Sequence, residues 1–177
     1  MKFRIKAIIA CLLIVLDTVA LASGNVQESD QLCPSMSSSQ SEYDKKAWEV
    51  TLSPYTHHWH GSPDHKNVYL GSLERLGDAN RFCGLALFSN SFGQNSAYAY
   101  AGKRWDHFDE ADKLFIKVSA GFIYGYRGLY KNKIPLNNYG VAPAIIPSVG
   151  YSITPLDSAQ VIVLGNAGVM FALGHSF

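Results

Sequence analysis

From residue 48 to the end of the chain, apolar residues alternate with polar or small ones at a period of two. That period belongs to strands, whose successive side chains point to opposite faces. In WEVTLSPY, Trp48, Val50, Leu52 and Pro54 alternate with Glu49, Thr51, Ser53 and Tyr55. In LFIKVSAGFIYGYR, Leu114, Ile116, Val118, Ala120, Phe122, Tyr124 and Tyr126 form one face. Phe115, Lys117, Ser119, Gly121, Ile123, Gly125 and Arg127 form the other. Such a run is long for a soluble strand, whose typical length is about 5–6 residues. It suits a strand that crosses a bilayer and carries aromatic residues at its ends.

Counting these runs predicts strands near 48–57, 67–76, 81–91, 95–105, 113–127, 141–152, 159–165 and 168–177. Turn residues separate them: Gly77 to Asn80, Gly93 to Asn95, Asp106 to Asp112, Asn137-Asn138, Pro155 to Asp157 and Gly165-Asn166. Eight is the smallest even count with which bacterial membrane barrels close, and closure removes edges that lipid cannot satisfy. The expected fold is therefore all-β, an eight-stranded antiparallel transmembrane β-barrel over residues 48–177. The chain ends in strand phase on Phe177. A terminal aromatic of this kind is a familiar mark by which barrel assembly machinery recognises outer-membrane chains. The sixth run contains Pro143 and Pro147, which cannot donate to a ladder, so a gap in hydrogen bonding, or a loop, is expected there.

The start of the chain reads as an export signal. Lys2, Arg4 and Lys6 precede the apolar run Ala7 to Leu16, and Ala20-Leu21-Ala22 offers a cleavage site. The apolar run is about half of the roughly 20 residues that a membrane-crossing helix needs. Residues 1–22 are expected to be a signal peptide. Residues 23–47, with five serines between Ser35 and Ser41, are expected to be a flexible leader with one or two helical turns. Removing residues 1–22 takes three of 15 basic and one of 14 acidic residues, leaving 12 against 13. That balance carries no polycationic signal for nucleic acid. Export makes a Cys33–Cys83 disulfide possible; two unpaired thiols are the alternative.

Two segments could carry chemistry. PYTHHWH sets His57, His58 and His60 within four residues, with His65 nearby. No carboxylate or cysteine accompanies them at a recognisable ligand spacing, and adjacent histidines on a strand face opposite ways, so no metal site is expected. One histidine acting as a general base at a barrel rim is the preferred reading; an inert solvated loop is the bland one. Ser91, at the tip of a hairpin between Phe82 and Trp105, could be activated by that base, with Asn90 orienting the imidazole or an oxyanion.

The order of these elements resembles the lipid A palmitoyltransferases of Gram-negative outer membranes. PYTHHWH resembles the segment with the family's catalytic histidine, placing it at His58, with His57 in reserve. LFSNSF resembles the family's Asp-Ser pair, so Asn90 stands where the family has Asp, followed by Ser91. AYAGKRW places Gly102 where a small residue floors the acyl-chain cavity. IPLNNYGVAPAIIPSVGY resembles the segment whose prolines, here Pro143 and Pro147, open a lateral gate for lipid. The resemblance implies transfer of a palmitoyl-type chain from a phospholipid donor to lipid A in the outer leaflet, with no cofactor. Strand parity from Trp48 puts His57, not His58, on the face of Thr51 and Ser53, unless a bulge at Pro54 reverses it. A lipid A deacylase and a small barrel without catalytic activity are the competing readings.

Overall fold

The computed structural model describes Cys33 and residues 48–177, apart from 64, 109, 110 and 138. The expected signal peptide and most of the expected leader lie outside the described residues. Eight antiparallel strands follow one another in order around a closed barrel: β1 Trp48–His58, β2 Leu70–Leu76, β3 Arg81–Ser89, β4 Asn95–Phe108, β5 Ala111–Tyr124, β6 Val141–Ser152, β7 Asp157–Val163 and β8 Gly168–Ser176. The ladder of β1 against β8 closes the sheet. Its seam extends one step further, because Trp48 and Phe177 exchange backbone hydrogen bonds of 3.1 and 2.9 Å.

The side-chain pattern is inverted relative to a water-soluble protein. Leu52, Leu87, Phe122, Ile145 and Leu173 lie on the outside and are exposed. Glu49, Thr51, Ser72, Glu74, Lys117, Ser119 and Gln160 are buried inside. A soluble monomer rarely exposes so broad an apolar surface. A barrel with this surface matches lipid outside and pairs its polar groups within. Exposed aromatic residues mark both borders, Trp105 and Tyr151 at one end and Tyr55, Trp59 and Tyr69 at the other. Among the described residues, no helix is long and apolar enough to cross a membrane; the crossing is made by strands.

The two ends differ. At one end the connections are short: 77–80, 109–110 and 153–156. At the other they are mostly longer: 59–69, 90–94, 125–140 and 164–167, the third holding a 3-10 segment at Gly128–Lys133. The sequence reading of Asp106 to Asp112 as one turn needs correction. β4 runs to Phe108 and β5 starts at Ala111. Charged residues do not stop these strands because here the hairpin reaches past the apolar belt. At the other end of β5 the chain leaves the sheet after Tyr124, through Gly125 at φ 135°, rather than continuing to Arg127.

Half-way down the lumen sits a buried ionic cluster. The Lys117 ammonium donates to Glu49 at 3.0 Å and also pairs with Glu74. Tyr100 donates to Glu74 at 2.9 Å, and Gln160 to Glu49 at 3.1 Å. Charges buried this deeply persist only when paired and hydrogen-bonded. The cluster joins β1, β2, β4, β5 and β7 across the lumen. Outside the wall, Cys83 on β3 forms a disulfide with Cys33, with Cα atoms 5.4 Å apart. That pairing was one of two alternatives left open by the sequence.

Candidate active site at the loop end of the barrel

His58 is the last residue of β1, and Ser91 lies in the β3–β4 loop. His58 Nε2 is 2.7 Å from Ser91 Oγ. The parity problem is resolved by a bulge. In the β1–β8 ladder Leu52 faces Leu173 but Tyr55 faces Phe171, so β1 carries one extra residue around Ser53-Pro54. Beyond the bulge every side chain changes face. His58 turns to the interior side, and His57 is exposed with its ring edge-on to Trp59 at 5.6 Å. The reserve position is therefore away from the serine.

The apolar belt on β1 ends at Tyr55, and His58 stands beyond it at the rim. Burial, then the neighbouring His65 and His57, hold the His58 pKa below the ordinary imidazole value. A neutral ring at that position can accept a proton from Ser91. The His65 ring packs 4.6 Å from the His58 ring and edge-on to Phe92 at 5.7 Å. Among the described residues, no three His, Cys, Asp or Glu side chains converge as a metal site.

Asn90 does something other than the sequence suggested. It is 1% exposed. Its Oδ1 accepts from the backbone N–H of Phe92 and of Gln94, both at 3.0 Å. Its Nδ2 donates to Ser96 Oγ at 3.2 Å and to Gln94 Oε1 at 3.3 Å. All four bonds go to its own loop or the start of β4. This is an Asx-type turn, in which a short amide side chain replaces backbone partners. Asn90 shapes the loop that presents Ser91, and none of these bonds reaches the His58 imidazole. The N–H groups of Phe92, Gly93 and Gln94 are all bonded to Asn90.

Below the pair lies a lumen cavity of about 390 Å³. Its walls include Leu70, Ala86, Phe88, Tyr98, Ile123, Ile146 and Met170, and its base includes Glu74, Tyr100, Lys117 and Gln160. Ser91 and Asn90 border the top. Gly102, expected at the floor, is not among the lining residues. Its inner side is covered by the Phe82 ring, which a Cβ there would strike. The floor belongs to Phe82, which pairs across the ladder with Gly102, together with Tyr100 and the ionic cluster. An aromatic ring from the adjacent strand filled the space, and strand alternation alone cannot reveal that.

The cavity is also open sideways. β6 pairs with β7 only from Ser148 to Ser152, whereas its ladder with β5 is continuous from Val141 to Tyr151. Val141 to Pro147 thus have no partner on the β7 side. Pro143 and Ile145 point outward, and Ile145 is 66% exposed, yet both border the cavity. Leu164 to Ala167 form the opposite lip. Pro143 lies on the opening, and Pro147 at its lower limit, next to the first paired residue. Both prolines stand on the same strand parity and lack the N–H that a ladder needs. The expected interruption of the wall is present, within a strand rather than a loop.

A closed eight-stranded barrel with an apolar exterior defines a transmembrane β-barrel. No family model matches the chain, and no curated protein matches it. Among solved structures, it is similar to a barrel from the de novo design of transmembrane β-barrels, with a TM-score of 0.53 and 16% identity over 73% of this chain and 94% of that one. It also matches the N-terminal β-barrel domain of Pseudomonas aeruginosa OprF, with a TM-score of 0.46 and 12% identity over 75% of this chain and 98% of that one. A third match is the Yersinia pestis outer membrane protein Ail, with a TM-score of 0.39 and 10% identity over 75% and 99%. The designed barrel supports the fold alone.

Proposed function

We propose that the protein is an outer-membrane acyltransferase that moves a palmitoyl-type chain from a phospholipid to lipid A. The observation that carries this reading is the 2.7 Å His58–Ser91 contact above a lumen cavity open sideways between β6 and β7. A lipid could slide one acyl chain through that opening while its headgroup stayed at the rim. The apolar walls would hold the chain, each buried methylene contributing about 0.8 kcal/mol. The donor ester would then lie beside Ser91. Neutral His58 accepts the hydroxyl proton as Ser91 Oγ bonds to the ester carbonyl carbon. The ester's C–O bond to the donor breaks, and the lysophospholipid leaves with the proton. A lipid A hydroxyl then attacks the acyl carbon as His58 takes its proton; the bond to Ser91 Oγ breaks, and the proton returns to Oγ. No cofactor is required by this chemistry. Export by the N-terminal signal and insertion through assembly machinery that reads Phe177 belong to the same reading.

One observation favours a barrel without catalytic activity. Among the described residues, no carboxylate pairs with His58, and Asn90 is committed to its loop. Purified protein incubated with phosphatidylcholine carrying a labelled acyl chain and with lipid A separates the readings. Label appearing on lipid A supports transfer. Label remaining on phosphatidylcholine, with lipid A intact, supports the inert barrel. Loss of an acyl chain from lipid A supports a deacylase.

A further inference from the structure

The charge of the loop end is mostly positive. The four loop-end connections hold Lys66, Arg127, Lys131 and Lys133 against one acidic residue, Asp64. All four cations are exposed, and among the described residues none of them makes an ion pair. Three loops are braced against one another beside Ser91, through Lys66, Phe92 and Gln94. The Lys66 backbone N–H donates to the Ser91 carbonyl at 2.8 Å, and its aliphatic stem runs against Gly93. Phe92, next to Ser91, stacks on Tyr130 at 4.2 Å and meets Tyr126 edge-on. The Lys133 ammonium stands over the Phe92 ring at 5.7 Å and borders the cavity mouth. Gln94 clasps the backbone of Arg127 through both its N–H and its carbonyl, each at 3.2 Å.

We infer that this rim is a binding site for a lipid headgroup of net negative charge, with Lys66 and Lys133 as its principal contacts. A surplus of positive charge, four cations against one carboxylate, selects an anion, and an ammonium binds phosphate as a point charge. Continuity with the side opening selects a lipid over a free anion. A lipid with a chain between β6 and β7 must leave its headgroup at the mouth, where Lys133 stands. Lys66 flanks Ser91 from the β1–β2 side. The inference shares this end of the barrel with the acyl-transfer reading but not its chemistry, and it holds whether or not Ser91 is reactive.

The test measures lipid retention, not turnover. Folded protein is equilibrated in mixed phosphatidylglycerol and phosphatidylcholine, then released for native mass spectrometry. Wild type is expected to retain phosphatidylglycerol at least about ten-fold in preference. In the Lys66→Gln/Lys133→Gln variant that preference is expected to fall to near parity, with up to about five-fold, roughly 1 kcal/mol, from each cation near a lipid surface. Preference in wild type should also shrink as salt rises, a readout that does not need the variant to fold. No preference in wild type, a preference insensitive to salt, or an unchanged preference in the folded double variant overturns the inference. So does complete displacement of the lipid by millimolar inorganic phosphate, which would make this a site for a free anion.

Discussion

His58 and Ser91 are 33 residues apart in sequence, yet His58 Nε2 and Ser91 Oγ are 2.7 Å apart. Two local devices create that contact. The bulge near Pro54 turns the end of β1 so that His58, not His57, faces inward. The Asn90 side chain folds the β3–β4 loop so that Ser91 stands at its tip. Neither device touches His58 Nε2 or Ser91 Oγ, and each sets the position of one of them.

If the pair carries acyl transfer, His58→Ala and Ser91→Ala should each lower the rate by about 10²–10⁴. Both positions lie at the rim, so both variants should fold and keep the heat-dependent gel shift of an intact barrel. His57→Ala should retain near-normal rate. A full rate in either of the first two variants removes that residue from the chemistry.

The pH profile follows from the ring environment. His58 must be neutral to accept a proton, and its pKa lies below the ordinary imidazole value of about 6.5. Activity should therefore persist below pH 6.5 and fail only on further acidification. Replacing His65 by Ala removes a neighbouring like charge and some burial. Both changes raise the His58 pKa, so the acid limb should move to higher pH. A limb that stays in place, or moves lower, contradicts the assigned base.

Asn90 separates a structural role from a chemical one. Asn90→Ala leaves the N–H groups of Phe92 and Gln94 without their acceptor, at about 1–3 kcal/mol for each that stays dry. The loop should become protease-sensitive and the rate should fall with it. Asn90→Asp keeps the acceptor for both N–H groups but gives up the two Nδ2 bonds, so it should preserve more of the loop and of the rate than Asn90→Ala. A variant with an intact loop and no activity would return Asn90 to the chemistry.

The lumen cluster sets stability. Lys117→Met strands Glu49 and Glu74 as unpaired buried charges, and should cost about 3–5 kcal/mol in urea unfolding from lipid vesicles. Adding Glu49→Gln and Glu74→Gln to that variant should recover most of the loss. A triple variant no more stable than Lys117→Met alone would argue against charge burial as the cause.

Phe82 covers Gly102, so it should limit how deep a chain can reach. Phe82→Ala should open the cavity toward Gly102 and lengthen the preferred acyl chain, at about 3–5 kcal/mol of stability. Gly102→Met has no space to fill and should destabilise the wall rather than simply shorten the chain. Transferred chain length, read by mass spectrometry, checks both.

The barrel was legible because lipid imposes a strict rule. Alternation, turn residues and an even strand count all follow from having no edge and no unpaired backbone in a bilayer. Strand ends were less legible at Asp106 to Asp112, where the hairpin leaves the apolar belt and charge no longer forbids a strand. Pro143 and Pro147 announced the opened wall because a missing N–H is visible in sequence. The loop bonds of Asn90 were not legible, since an amide beside a serine looks the same whether it faces a substrate or its own backbone. Phe82 over Gly102 was invisible, because it depends on which ring from the next strand fills the lumen. The loop-end cations were in plain view, but only the aromatic packing around Phe92 gathers them beside Ser91.

The most direct measurement is mass spectrometry of lipid A after incubation with folded protein and a phospholipid of defined acyl chains. The account predicts one added chain, matching the donor, with wild type and none with Ser91→Ala. Unmodified lipid A with the folded wild type, or the same added chain with Ser91→Ala, would contradict it.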